Sequence, residues 1–192
     1  GHAKIYAGDF VEYTPNTSAQ AGAEVKVLKY YEVAKAASNS DTEVLIVRDG
    51  YHHVPFAGDN IMIGQKDFTT KATGVTVTAV EKTTDSGKDV WKLTLSATLG
   101  VALKVKDVLV EAEKAGTAVL PMVTNPNAYA DKDMDFLYDP TTGDDDFEGA
   151  RYLFTPALAQ EDTVIDLNAI GVLPPAILAL NKSRVKGWFW FV

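Results

Sequence analysis

The sequence predicts a mostly β protein with one short C-terminal helix, a β-rich α+β chain. Three observations predict this class. First, one strand-and-turn unit occurs twice. Thr42-Glu43-Val44-Leu45-Ile46-Val47 leads to Ala57-Gly58-Asp59-Asn60-Ile61-Met62-Ile63. About 48 residues later, Val90-Trp91-Lys92-Leu93-Thr94-Leu95 leads to Val105-Lys106-Asp107-Val108-Leu109-Val110. Second, the apolar runs are short, β-branched or alternating, and glycine, asparagine, aspartate and proline punctuate them. Third, helical punctuation is confined to one stretch, Leu173 to Lys182. The tandem repeat predicts a small barrel or sandwich, each copy supplying half of the sheet. Closure removes the edges that a lone three-stranded unit leaves open.

Residues 1–23 are read as an N-terminal arm outside the repeat. Ile5, Ala7, Phe10, Val11 and Tyr13 alternate loosely, Gly8-Asp9 interrupts them, and Pro15-Asn16-Thr17-Ser18 reads as turn and linker. Such an arm either packs on a neighbouring chain or forms the first edge strand of the domain. The opening Gly1-His2-Ala3-Lys4 predicts a short strand and not the apolar region of a secretory leader.

The repeat domain spans 24–114. Val25, Val27 and Tyr30-Tyr31 suggest a strand, and Val44 to Val47 is a well-buried one. Arg48-Asp49-Gly50 turns the chain, and Gly58-Asp59 turns it into Ile61 to Ile63. In the second copy Val75 to Val80 alternates with period two, Thr84-Asp85-Ser86-Gly87 is a hairpin turn, and Val108-Leu109-Val110 closes the unit.

The remaining 115–192 form a smaller α+β portion. Val119 to Val123 is extended, Thr124-Asn125-Pro126-Asn127 is a loop, and Arg151 to Phe154 and Thr163 to Leu167 are short strands. Leu173-Pro174-Pro175 starts a short helix, because proline suits a first turn. Trp188-Phe189-Trp190-Phe191-Val192 ends the sequence as a strand. Trp188, Phe189, Trp190 and Phe191 are the candidate subunit interface, since so many large apolar side chains must pack on this fold or on a partner.

Composition narrows the function. The 192 residues are 46% hydrophobic and 23% charged, so the chain can bury a real core. No apolar run approaches the roughly 20 residues of a spanning helix, so no membrane partner is expected. There is no cysteine, which removes disulfides and thiolate chemistry together. A net charge of −8 argues against a nucleic-acid footprint. Eight acids face one base, Lys132, between Asn125 and Gly149, so that segment nets −7.

Candidate sites are few. Asp59 and Asp107 recur at matching places, and aspartate before a strand bonds its own backbone, so they read as turn pins and not as a catalytic carboxylate pair. Asp131, Asp133 and Asp135 have the alternate spacing of a calcium loop. An EF-hand needs glycine sixth and glutamate twelfth, where this chain has Phe136 and Thr142. They remain weak metal candidates in a solvated acidic loop. His52-His53 is too close along a strand to chelate jointly. Tyr30, Tyr31, Tyr51, Trp188 and Trp190 are candidates for a glycan-binding surface, with aromatic core as the alternative. There is no G-x-S-x-G elbow and no glycine-rich phosphate loop. No cofactor and no catalytic residue are expected, and the chain reads as a non-enzyme.

Three stretches carry a family likeness. One is Leu28-Lys29-Tyr30-Tyr31-Glu32-Val33 with Val44 to Val47 and Val54-Pro55-Phe56-Ala57-Gly58-Asp59-Asn60-Ile61. Another is Leu93-Thr94-Leu95-Ser96-Ala97-Thr98-Leu99-Gly100 with Leu103-Lys104-Val105-Lys106-Asp107-Val108-Leu109. The last is Leu173-Pro174-Pro175-Ala176-Ile177 before a closing apolar strand. From about residue 24 the chain resembles head fibre and capsid decoration proteins of tailed phages and prophages of Bacteroidetes-type hosts. It departs where Lys106 replaces the expected glycine and in the acidic insertion from Asp131 to Glu148. The resemblance implies a structural virion component on the capsid lattice, assembled in the bacterial cytoplasm. It implies a homo-oligomer, a trimer, seated on the major capsid protein, that stabilises the shell or presents a host-facing surface. The alternative is a glycan- or host-surface-binding module without catalysis.

Overall fold

The structure, a computed structural model, describes residues 3–14, 24–49, 53–130, 134–136, 158–159, 163–165, 172–178 and 189–191. Strand outweighs helix by 48% to 3%, so β pairing organises the chain. The strands are β1 (Ala3–Ile5), β2 (Phe10–Thr14), β3 (Glu24–Val27), β4 (Tyr30–Glu32), β5 (Glu43–Val47), β6 (Asn60–Ile63), β7 (Ala72–Asp85), β8 (Lys88–Leu95), β9 (Val108–Glu111), β10 (Gly116–Val119), β11 (Ala128–Ala130), β12 (Met134–Phe136), β13 (Leu158–Ala159), β14 (Thr163–Ile165) and β15 (Phe189–Phe191).

The main sheet is antiparallel and runs β4-β9-β6-β7-β8-β5, with β10 added to β7. The two repeats are interleaved in it. Glu43↔Thr94 and Ile46↔Trp91 are images of each other under the repeat offset, and so are Ile61↔Glu111 and Ile63↔Leu109. The β4–β9 pair Tyr31↔Leu109 matches the β7–β6 pair Val75↔Ile61. A pseudo-twofold axis therefore relates the copies, and β5–β8, β6–β9, β4–β9 and β6–β7 pair across them while β7–β8 pairs within the second.

The sheet is not closed into a barrel, so of the two expected architectures the barrel is not realised. Its end strands meet only at one isolated bridge, Val33↔Ile46. The physical reason is length. β4 has three residues, and beyond Val33 the chain turns away towards Ala37, which pairs with Leu103 instead.

Alternation along β6 and β9 is broken because both faces are covered. Ile61 and Leu109 join Tyr31, Val33, Val44, Ile46, Val75, Val77 and Leu93 in one core. Met62, Val108 and Val110 point the other way, under Phe10, Leu28, Leu173, Ala176 and Ile177. Residues 3–14 supply part of that cover. β2 lies inside a four-stranded sheet ordered β13-β11-β2-β3, sending Phe10 to the second core and Val11 to a smaller third one with Ile5, Ala128 and Ala130.

The expected single strand from Val25 to Tyr31 is two strands, β3 and β4, which serve different sheets. The C-terminal helix is one turn, residues 175–178, opened by Pro174 and Pro175. The amide of Ile177 donates to the Pro174 carbonyl at 2.9 Å. The terminal segment pairs Phe189–Phe191 in parallel with Thr163–Ile165. The expected strand from Arg151 to Phe154 lies outside the described residues.

Candidate functional site

One local device recurs in this fold and builds its polar centre. In Phe56-Ala57-Gly58-Asp59 the Asp59 carboxylate accepts the Phe56 amide at 2.8 Å, and the Asp59 amide donates to the Phe56 carbonyl at 3.1 Å. Lys104-Val105-Lys106-Asp107 repeats this at 2.7 and 3.0 Å. Each turn then grips a strand. The Gly58 amide donates to the Val77 carbonyl, and the Val77 amide donates to the Asp59 carbonyl, both at 2.8 Å. Lys106, Val33 and Asp107 do the same at 2.9 and 2.8 Å. The two aspartates start antiparallel neighbours, β6 and β9, so they sit at opposite ends of that pair and share no site.

The arm holds a third copy. Tyr6-Ala7-Gly8-Asp9 closes with the Tyr6 amide on the Asp9 carboxylate at 2.7 Å. The Gly8 amide donates to the Ala130 carbonyl and the Ala130 amide to the Asp9 carbonyl, both at 2.8 Å. Gly8 and Gly58 have φ near 100°, where a side chain is strained. Sequence reading missed this copy because no repeat strand precedes it. Its signal is the match of Tyr6-Ala7-Gly8-Asp9-Phe10-Val11 to Phe56-Ala57-Gly58-Asp59-Asn60-Ile61.

Asp9 differs from its two counterparts in having a further partner. It is 7% exposed, the one charged side chain buried among the described residues. His53 Nε2 lies 2.9 Å from both its oxygens. A carboxylate only accepts, so Nε2 donates. The Tyr6 ring stands edge-on to the imidazole at 5.1 Å between centroids. His53 belongs to the β5–β6 loop and Asp9 to the β1–β2 turn, so the pair ties the arm to the main sheet.

Three ionisable groups of the neighbouring strands and loops are shifted by burial. Burial first, then the Asp9 charge, pushes the Tyr30 phenol well above its usual range. Burial also raises Tyr31, with Glu111 and Asp59 adding to it, and among the described residues its hydroxyl is the one fully buried polar side-chain atom without a partner. Glu111 lies 3.3 Å from Lys29 Nζ, yet burial outweighs that ammonium and raises its carboxyl above the ordinary value.

The remaining candidates are placed as follows. Tyr31 is in the core at 1% exposure and cannot line a glycan surface. Tyr51, His52, Asp131, Asp133 and Trp188 lie outside the described residues. Asp135 pairs by its backbone with Lys4, and its side chain is outside them, as are those of Phe189, Trp190 and Phe191. Among the described residues, no group of three or more histidines and carboxylates is arranged to hold a metal ion. A recess lined by Met62, Phe68, Val110, Pro121 and Pro174 has one carboxylate, Asp67, which is bonded to Thr69 and Thr70.

The Asp9 carboxylate is taken up by an amide and an imidazole, and the repeat aspartates by their own turns. Comparison with protein-family models, curated proteins and solved structures finds no match.

Proposed function

We propose that the chain is a structural virion component, a head fibre or capsid decoration subunit without catalytic activity. The observation that carries this reading is the use of all three Gly-Asp-type turns as scaffold pins: Asp9, Asp59 and Asp107 each bind the amide of their own turn. The resemblance to phage head fibre and decoration proteins supports the same reading. In it the subunit is a homotrimer on the major capsid protein, displayed on the virion surface after assembly in the bacterial cytoplasm.

Light scattering at micromolar concentration tests the oligomer, and immunogold microscopy of particles from an induced lysogen tests the location. A trimer and label on the heads are expected. A monomer together with unlabelled heads overturns the reading.

A further inference from the structure

The four-stranded sheet around the arm repeats part of the main sheet strand for strand. Val11↔Ala128 and Phe10↔Tyr129 in β2–β11 stand where Ile61↔Val75 and Asn60↔Thr76 stand in β6–β7. Ala130↔Leu158 in β11–β13 stands where Val77↔Leu95 stands in β7–β8. On the other side of β2, Glu12↔Lys26 and Tyr13↔Val25 stand where Met62↔Val110 and Ile63↔Leu109 stand in β6–β9. The bonds agree: the Leu28 amide donates to the Phe10 carbonyl and the Ala112 amide to that of Asn60, both at 2.8 Å. The order β13-β11-β2-β3 therefore copies β8-β7-β6-β9 in pairing and direction.

The copy stops one strand short. In the main sheet β4 follows β9, and Tyr31 stands opposite Leu109. Among the described residues no strand pairs with the outer edge of β3. Leu109 is fully buried, and its counterpart Val25, packed against the third core, is only half-buried. The bond from Leu28 to Phe10 sets the phase of β3. Residues 26 and 28 bond β2, and Val25 and Val27 turn their backbone groups outward. The Val27 carbonyl accepts the Lys29 amide at 3.1 Å. The Val25 N–H and C=O and the Val27 N–H are left on an open edge among the described residues. Such an edge is where an added strand docks.

Charge selects the occupant. The β4–β9 register sets the missing strand antiparallel to β3 and centred opposite Val25. A second copy of β3 in that place puts Val25 opposite Val25 and Glu24 opposite Lys26, twice. Lysine on an edge ordinarily blocks pairing, and here each lysine meets a glutamate. The neighbouring register, centred on Lys26, sets lysine against lysine and is disfavoured. We propose that β3 is a twofold contact, through which each of two copies adds its β3 to the other's sheet. The contact is isologous, so it is separate from the threefold contact of the trimer above and does not rest on it. With that trimer it builds a hexamer, and without it a dimer.

The test is light scattering across a concentration series, with far-UV circular dichroism and thermal melting on the full chain. Wild type should contain an even number of copies. Val25→Pro removes an outward N–H without touching a bond to β2, and should halve the mass. Glu24→Lys and Lys26→Glu each set like charges opposite one another twice, and should weaken association roughly tenfold. The exchange Glu24→Lys/Lys26→Glu makes the edge self-complementary again and should restore the wild-type mass. That rescue decides the matter if Val25→Pro fails to fold. An even assembly that neither single reversal weakens, or that the exchange does not restore, overturns the edge contact. A wild-type trimer also overturns it and leaves the trimeric reading standing. A monomeric wild type overturns both.

Discussion

Met62 and Val110 stand opposite each other in the β6–β9 ladder, and each is the other's counterpart in the repeat. A residue paired with its own image marks the pseudo-twofold axis. From this it follows why neither copy is a domain by itself. β4 needs β9 and β7 needs β6, so a single copy leaves edges unpaired. The main sheet therefore has two similar ends. The ends differ where Asp9 and His53 join the arm to one of them.

That difference predicts an order of importance among the three aspartates. Asp59→Ala and Asp107→Ala each remove one exposed side-chain cap and should cost about 1 kcal/mol, as lost helix caps do. Asp9→Ala removes a cap and strands the buried His53, with both side chains only 9% exposed. Breaking a buried pair in this way should cost about 3 kcal/mol or more. Urea unfolding of the three variants measures the order, and equal losses would show that the His53 contact adds nothing.

Much of the scaffold was legible in the sequence, for reasons tied to particular residues. Val44 to Val47 and Leu93 to Leu95 announce strands because β-branched and alternating side chains suit a pleated surface. Asp59 and Asp107 announce equivalent turns because aspartate caps its own backbone locally. What was not legible depends on distance along the chain. His53 and Asp9 are 44 residues apart, and no local rule pairs them. The open sheet was also hidden, since it depends on where the chain leaves β4 after Glu32. The kink between β3 and β4 was missed because Val25 and Tyr31 share a period but enter different cores.

Tyr31 should be more useful as phenylalanine. Its hydroxyl is buried and unpartnered, so folding strips its water and returns no bond. Tyr31→Phe keeps the ring volume in the core and should stabilise the protein by about 1 kcal/mol. A loss of stability on denaturant titration would show that the hydroxyl has an internal partner such as an ordered water.

Glu111 predicts a pH dependence whose sign is fixed. Burial raises its carboxyl above the ordinary 4.5, against the opposing pull of Lys29. The folded protein therefore binds a proton more tightly than the unfolded chain does. Its contribution to stability is full below 4.5 and is lost as pH rises from there through the raised folded value. Glu111→Gln removes that loss, and Lys29, still partly in water, gives up little when its partner becomes neutral. The variant's stability relative to wild type should climb as pH rises across that window. Urea midpoints from pH 4 to 7 would show it, and a constant difference would mean that Glu111 titrates alike in both states.

Gly74 predicts the largest effect of a single methyl group. It begins the buried part of β7, where β10 crosses, and Gly74 is paired with Gly116. A Cβ built there lies 2.4 Å from the Lys114 carbonyl oxygen and 2.7 Å from a Val119 methyl. The first contact is backbone, which cannot swing away as a side-chain tip can. Gly74→Ala must therefore push β10 off β7, and overpacking of this kind costs about 1–3 kcal/mol. The control is Gly87→Ala at the hairpin tip, where nothing lies within 4 Å and only the φ of 77° opposes a side chain. Its cost should be about 1 kcal/mol, from backbone conformation alone. Amide exchange separates the two causes. Gly74→Ala should expose the amides of β10 selectively, and Gly87→Ala should leave them protected. Equal protection of β10 in both variants would show that the β7–β10 crossing yields without cost.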